Sequence, residues 1–264
     1  MKAQITLTPA EAKRLIARAL LLHPQIQRAL KSGVIVLNLG STNAYLAEEL
    51  LGREIEKERF VAGLIDSNGT CVVPKSERIS SLVLREGRVI DENPEGLTRI
   101  MGPDDVFVKG ANAVDTSGAA WVMLASETGG TLGHVLGTLM ARGVPILVPV
   151  GLEKYVPARL DTAATKAGIH QIELSTGSAV GLIPLPGEIF SEIEAFKLMG
   201  DVEVYIIGAG GIGGGEGSYT FMLEGGESVV KDIFDRVEKI RGEKNLGSVR
   251  GSCGSCIYTC PERK

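Results

Sequence analysis

Three cysteines crowd the far end of the chain as Cys253-x-x-Cys256-x-x-x-Cys260, followed by Pro261. Soft thiolates at such spacing can converge on zinc or on an iron–sulfur cluster, and the glycines and serines between them allow the tight turns this needs. Three ligands make an incomplete set. The fold would have to bring up Cys71, or a second subunit would have to supply the fourth ligand. The alternative is a thiol-bearing tail, inert or redox-active.

Two loops offer a different chemistry. Gly40-Ser41-Thr42-Asn43 follows the apolar run Val34 to Leu39 and opens an amphipathic pattern, so it reads as the turn between a buried strand and a helix. Free backbone N–H groups and small hydroxyl side chains at such a turn can hold an anion. Glu127-Thr128-Gly129-Gly130-Thr131 repeats the arrangement ahead of the next helical pattern. Each loop alone could be ordinary helix capping. Together they suit an anionic ligand in the crevice above a parallel sheet.

A third glycine-rich stretch, Gly208-Ala209-Gly210-Gly211-Ile212-Gly213, satisfies the G-x-G-x-x-G pattern of dinucleotide sites. That pattern requires a strand before it and a helix opening after it. Here more glycine follows, then the strand-like Tyr219 to Leu223. The spacing predicts a hairpin, and NAD is not expected.

The elements that must position these loops are legible as alternating apolar runs and helical patterns. Thr8-Pro9-Ala10-Glu11 reads as a capping box with proline at the first helical position, and helical periodicity continues from Leu15 to Leu30. Strand-and-turn units recur at "DVFVKGANAVD", at "AAWVML" ahead of "GGTLGHVLGTLMARG", and at "VPILVPVGLEKY". The strands are apolar on both faces, which predicts an α/β fold: a Rossmann-like parallel sheet with helices on both faces. The turn signals Asp66-Ser67-Asn68-Gly69 and Arg85-Glu86-Gly87-Arg88 predict a β-rich excursion over about 53–100. The main α/β domain is expected over 1–190, a smaller α+β lid-like domain over 191–245, and a cysteine-containing tail over 246–264.

Composition narrows the function classes. The chain has 264 residues, 44% hydrophobic and 23% charged, with a net charge of −4 and no Lys/Arg-rich run, so nucleic acid and anionic membrane are not expected partners. No run of about 18 apolar residues predicts a membrane span. The N-terminus moves directly into a capped helix, which predicts a cytoplasmic protein. The expected partners are a small anionic metabolite and further copies of the chain.

"GSTNAYLAEEL" resembles the sugar-phosphate loop of ribose-5-phosphate isomerase A and of the wider superfamily that includes DeoR-type effector domains and CoA-transferase-like proteins. "KGANAVD" falls where the isomerase pattern DGADEVD would fall, and "AVGLIPLPGEIFSEIEAFKLMG" with "GSYTFMLEG" is similar to that enzyme's lid. The resemblance implies ligand contacts at Gly40 to Asn43 and in the segment holding Gly110 and Asn112, to which the second loop adds Thr128, Gly129, Gly130 and Thr131 as candidates by its own pattern. It also departs at decisive places: Lys109 replaces the first aspartate of the pattern, Asn112 the second and Ala113 the glutamate, and only Asp115 keeps a carboxylate. Neither asparagine nor alanine can serve as the base an aldose–ketose isomerase needs, so ribose 5-phosphate isomerisation is not expected.

Lys109, Asp115 and Glu127 remain the candidate acid–base groups for a different substrate, and a noncatalytic metabolite sensor is the alternative. Glu153 and Lys154 could join that acid–base chemistry, although taken singly each reads as a solvated or capping charge; His134 reads as a core histidine in an apolar helix pattern and Trp121 as core.

Overall fold

The computed structural model describes residues 1–251 together with Cys256, Tyr258 and Cys260. The chain begins with β1 (Lys2–Leu7), α1 (Pro9–Leu20), α2 (Pro24–Ser32), β2 (Val34–Leu37) and α3 (Ser41–Leu51). It continues through β3 (Gly63–Asp66), β4 (Gly69–Val72), β5 (Leu82–Arg85), β6 (Arg88–Val89), α4 (Pro94–Leu97), β7 (Val106–Val108), β8 (Ala113–Val114) and β9 (Ala120–Leu124). Then come α5 (Gly130–Ala141), β10 (Ile146–Pro149), α6 (Asp161–Lys166), β11 (Gly181–Leu185), β12 (Glu188–Phe190), α7 (Glu192–Met199), β13 (Val202–Gly210), β14 (Ser218–Gly225) and α8 (Glu227–Glu238).

Six strands form the central sheet in the order β12-β10-β7-β2-β5-β6. The first four are parallel, while β5 runs antiparallel to β2 and β6 antiparallel to β5. Alternate residues of β2, β5, β7 and β10 enter opposite cores. Ile35, Leu37, Leu84, Val106, Val108 and Leu147 join one apolar cluster, with side chains from α1, α2, α3, α7 and α8. Val36, Val83, Phe107, Ile146 and Val148 join the other, with α5, β9 and Leu97 of α4. This two-sided burial is why the strands read as continuous apolar runs rather than alternating ones.

Several elements differ from the sequence reading. The helical pattern over Leu15 to Leu30 is two helices, because Pro24 opens a second one that His23 caps, its ring nitrogen accepting from Gln25 N. β9 forms as expected but lies outside the central sheet, antiparallel between β8 and β11. The region expected as an excursion is divided: β3 and β4 pair only with each other, whereas β5 and β6 extend the central sheet. Both turn signals close hairpins, and the second places Glu86 (φ 50°) and Gly87 (φ 74°) in the left-handed region that two-residue hairpin turns require.

At the N-terminus β1 pairs with β14 in the second sheet, β1-β14-β13, against which α7 and α8 pack. Its alternation is clear, with Ile5 and Leu7 buried and Lys2, Gln4 and Thr6 exposed. The G-x-G-x-x-G pattern lies at the end of β13 and in the glycine-rich turn that returns to β14. Among the described residues, no helix is long and apolar enough to cross a membrane.

Candidate functional site

β2 and β7 end side by side, with Leu37 opposite Val108, so the segments that follow them leave the sheet together. Asn38 and Asn43 fix that exit. Asn38 donates to Val108 O through its backbone N (3.0 Å) and its Nδ2 (3.1 Å). Asn43 Nδ2 donates to Asn38 O at 2.8 Å and more weakly to Val108 O. Asn43, a candidate ligand contact, is therefore fully buried as a brace beneath the loop and does not line the cavity above it.

That cavity has a volume of about 370 Å³. Gly40, Ser41 and Thr42 form one wall and Thr128 to Thr131 another, and Lys109 to Asn112 line the same space. The two loops separated by more than eighty positions thus face one space. A third wall comes from the β3–β4 hairpin, through Thr70 and Cys71, and from Ser178. Two glycines allow this wall to close: a Cβ on Gly69 would stand 1.8 Å from Thr176 O, and one on Gly177 would stand 2.0 Å from Thr70 O. Both have positive φ, so a side chain at either would be excluded twice over.

The cavity is electropositive for several independent reasons. α3 and α5 both begin on it, and their N-cap residues, Gly40 and Gly129, have no side chain to cap the first turn. Their leading N–H groups and dipoles point at the space, as at known anion sites. Lys75, Arg78, Lys109 and Lys154 line it, against one carboxylate among the described lining residues, Glu95. Thr42 is 1% exposed, and its Oγ1 has no hydrogen-bond partner among the described residues. A buried hydroxyl left unpaired costs about 1–3 kcal/mol, which a ligand accepting from it would offset.

No family model, curated protein or solved structure matches this chain. What the arrangement can do therefore follows from its own chemistry.

Lys109 and Lys154 are both part-buried, with their remaining surface on the cavity. Lys109 Nζ donates to Gly110 O at 3.3 Å and Lys154 Nζ to Ala111 O at 3.0 Å, so the two ammonium groups rest on successive carbonyls. Burial, and then the neighbouring Lys154, lowers the Lys109 pKa to about 8. Lys154 is lowered too, chiefly by burial, although Glu153 and Glu192 favour its charged form. Behind it Glu153 forms an ion pair with Lys13 at 2.7 Å. Both oxygens of Glu192 accept from Leu152 N, at 3.1 and 3.0 Å. Glu153 and Lys154 are thus parts of an enclosed charge network, not the solvated surface charges that the sequence suggested.

Glu192 is 1% exposed, and burial followed by repulsion from Glu153 pushes its pKa up from 4.5 to about 8. A raised acid contributes stability that is complete below its unfolded pKa and is lost as pH rises through the folded value. Glu192 should therefore weaken the fold between pH 4.5 and about 8. Glu192→Gln, which mimics the neutral acid, should flatten that decline and leave a protein more stable than wild type at pH 8. Denaturant titrations at several pH values measure this, and an unchanged slope in the variant would refute it.

The remaining sequence candidates are dispersed. Gly110, Asn112, Thr128, Gly129, Gly130 and Thr131 line the cavity, although Asn112 Oδ1 is already occupied by Met123 N at 3.0 Å. Asp115 is outside the lining. Its Oδ1 accepts from Ser117 N, Ser117 Oγ and Ala119 N, and its Oδ2 from Trp121 Nε1 and Leu160 N. Burial opposes ionisation there, but these donors outweigh it and hold the carboxyl well below the usual range. Such a carboxylate organises the β8–β9 turn. Glu127 is exposed, bonded to the exposed His170 at 3.0 Å, and also outside the lining.

His134 differs from its expected core position. It is exposed at the cavity mouth, its Nε2 3.1 Å from Thr128 Oγ1 and its Nδ1 3.4 Å from Glu95 Oε1. Cys71, Cys256 and Cys260 are free thiols, and Cys260 Sγ lies 3.5 Å from Ser178 Oγ. Cys253 lies outside the described residues, so the expected three-thiolate set does as well. Among the described residues, no three His, Cys, Asp or Glu side chains are grouped to hold a metal. Lys154, Thr70, Cys71 and Tyr258 also line the cavity. The sequence offered no local signal for a lining role at these positions, which depend on contacts between distant segments.

Proposed function

We propose that the protein binds a small phosphorylated or otherwise anionic metabolite in this cavity. The observation that carries the reading is the convergence, among the described residues, of two helix N-termini that open on glycine, an unpartnered buried Thr42 hydroxyl and two part-buried lysines on one space of about 370 Å³. A cavity of this size suits a small metabolite such as a sugar phosphate. Four parallel strands, helices contributing to cores on both faces of the sheet, and a site above the carboxyl ends of β2 and β7 support a Rossmann-like reading of the fold. The same features agree with a distant place beside ribose-5-phosphate isomerase A and the DeoR effector domains, with the β13–β14 unit as the lid-like part.

Ribose 5-phosphate isomerisation itself is a poor fit. The only carboxylate lining the described cavity is Glu95, which is exposed at its mouth and bonded to His134. A ligand-sensing role without turnover is accordingly the second reading.

Thermal unfolding with inorganic phosphate, glycerol 3-phosphate and ribose 5-phosphate tests the site. A bound anion should stabilise the fold by about 3 kcal/mol at a concentration about a hundredfold above its Kd. Thr42→Val keeps the shape and removes the unpaired hydroxyl. It should leave the apo protein as stable or more so, while weakening anion affinity by about tenfold, the scale of one lost hydrogen bond to a charged group. Failure of every anion to raise the melting temperature would remove the reading.

A further inference from the structure

We propose that Lys109 is a carbonyl-capturing nucleophile: with the phosphate of a small phosphorylated ketone held at the start of α3, Lys109 Nζ forms an imine with the ketone carbon. The inference rests on the anion-site reading above and adds a covalent step to it.

The geometry that favours it is the environment of the two lysines. Lys109 stands at the carboxyl end of β7 and lines the cavity, and its Nζ is bonded to a single backbone carbonyl, Gly110 O at 3.3 Å. Among the described residues no carboxylate pairs with it. Lys154 lies on the adjacent carbonyl, Ala111 O, and faces the same space. Two enclosed ammonium groups so placed repel each other, and loss of one proton relieves both the repulsion and the cost of burial.

Lys109 is the group that gives up its proton. The charged neighbour acting on it is Lys154, whereas Lys154 has Glu153 and Glu192 behind it to favour its cation. The division is then clear: Lys154 supplies fixed positive charge, and Lys109 supplies a lone pair. An amine is a nucleophile only when unprotonated, and desolvation beside a second cation is the established means of obtaining one near neutral pH. Simple anion binding would be served better by a lysine that stayed charged.

The step balances without an oxidant or reductant. The neutral Lys109 amine donates its lone pair to the carbonyl carbon, and the π pair moves to oxygen. That oxygen takes up a proton as the nitrogen loses one, giving the carbinolamine. The C–O bond then breaks, and the hydroxyl leaves with a proton as water. The product is a C=N bond between Lys109 and the former ketone carbon. Its protonated form draws electrons from the neighbouring carbon and weakens bonds there. Meanwhile the first turn of α3 and Thr42 Oγ1 hold the phosphate.

The test uses the full chain, dihydroxyacetone phosphate as the ketone and borohydride as the trap, with the adduct located by peptide mass mapping. Thermal shift with glycerol 3-phosphate, which has the phosphate but no carbonyl, is measured in parallel. The expected result is one adduct, on Lys109, forming faster as pH rises through about 8 and suppressed by glycerol 3-phosphate. Lys109→Arg should lose the adduct while still responding to glycerol 3-phosphate, and the wild-type map decides the matter should that variant not fold. No adduct, an adduct on Lys154, or labelling spread over exposed lysines would overturn the covalent step; if glycerol 3-phosphate still stabilised the protein, the anion site would stand. Capture at Lys109 that glycerol 3-phosphate neither competes with nor accompanies by stabilisation would overturn the phosphate anchor and the proposal with it. Neither capture nor stabilisation would remove both readings.

Discussion

Lys109→Met should give a protein more stable than wild type in the absence of ligand, and one that phosphate still stabilises. The lysine pKa falls from 10.5 to about 8 on folding, so the fold disfavours its charged form. The sign follows from proton linkage: the unfolded chain binds this proton more tightly, so the penalty is complete below pH 8 and disappears as pH rises toward 10.5. A shift of that size corresponds to about 3 kcal/mol at pH 7, and water in the cavity reduces the expected gain to about 2 kcal/mol. Methionine has a similar length and no charge to desolvate. Denaturant unfolding in phosphate-free buffer at pH 7 measures the gain, and repeating it at pH 10 should show most of the difference gone. A variant less stable than wild type at pH 7 would mean that Lys109 does not carry this penalty.

The second large effect concerns two glycines of α5 that helix propensity treats alike. Replacing a mid-helix glycine by alanine ordinarily stabilises a helix by about 1 kcal/mol. Gly137 has nothing within 4 Å of where a Cβ would stand, so Gly137→Ala should show that gain. At Gly133 a Cβ would lie 1.9 Å from Thr128 O and 2.9 Å from Thr128 C, both rigid backbone atoms. Gly133→Ala should therefore cost about 2 kcal/mol net, because the segment carrying Thr128 must move. The same movement displaces the Thr128–Thr131 wall, and anion stabilisation should fall with it. Opposite signs four residues apart on one helix are the signature to look for; equal, stabilising effects would contradict the close approach of that loop.

The sequence carried local patterns well and long-range partnerships poorly. Gly40 to Asn43 and Thr128 to Thr131 were readable because an apolar strand or small-residue turn followed by a helical pattern is a local signal. Their meeting over one cavity depended on the parallel register of β2 and β7 and on the placement of α5, neither of which a linear pattern specifies. Lys154 was set aside as a surface charge because its partners, Glu192 and the Glu153–Lys13 ion pair, come from positions far apart in the chain. His134 kept helical spacing with apolar neighbours and so resembled core, but its side chain points to the rim and Thr128. Asp115 and Asn112 were legible as polar residues in a motif. That Asp115 is committed to five donors from its own turn and from Leu160 follows only from the path of the backbone. β1 was missed although its alternation was present, because six residues from Lys2 to Leu7 give a weak signal beside the strong helix start at Thr8.

The pairing of β1 with β14 also shapes how the protein reaches this structure. The ammonium of Met1 donates to Gly225 O, a separation of 224 residues, and the strands between them close in register from Lys2 opposite Glu224 to Leu7 opposite Tyr219. During synthesis β1 precedes its partner strand β14 by more than two hundred residues. Until then Ile5 and Leu7 have no sheet to enter, and the cluster they share with Phe221, Leu223 and α8 cannot close. Pairings at such distance in sequence slow folding, since a long loop must be ordered before any contact repays it. Completion of the β1-β14-β13 sheet is thereby tied to the synthesis of β14, and β1 stays unpaired in the interval.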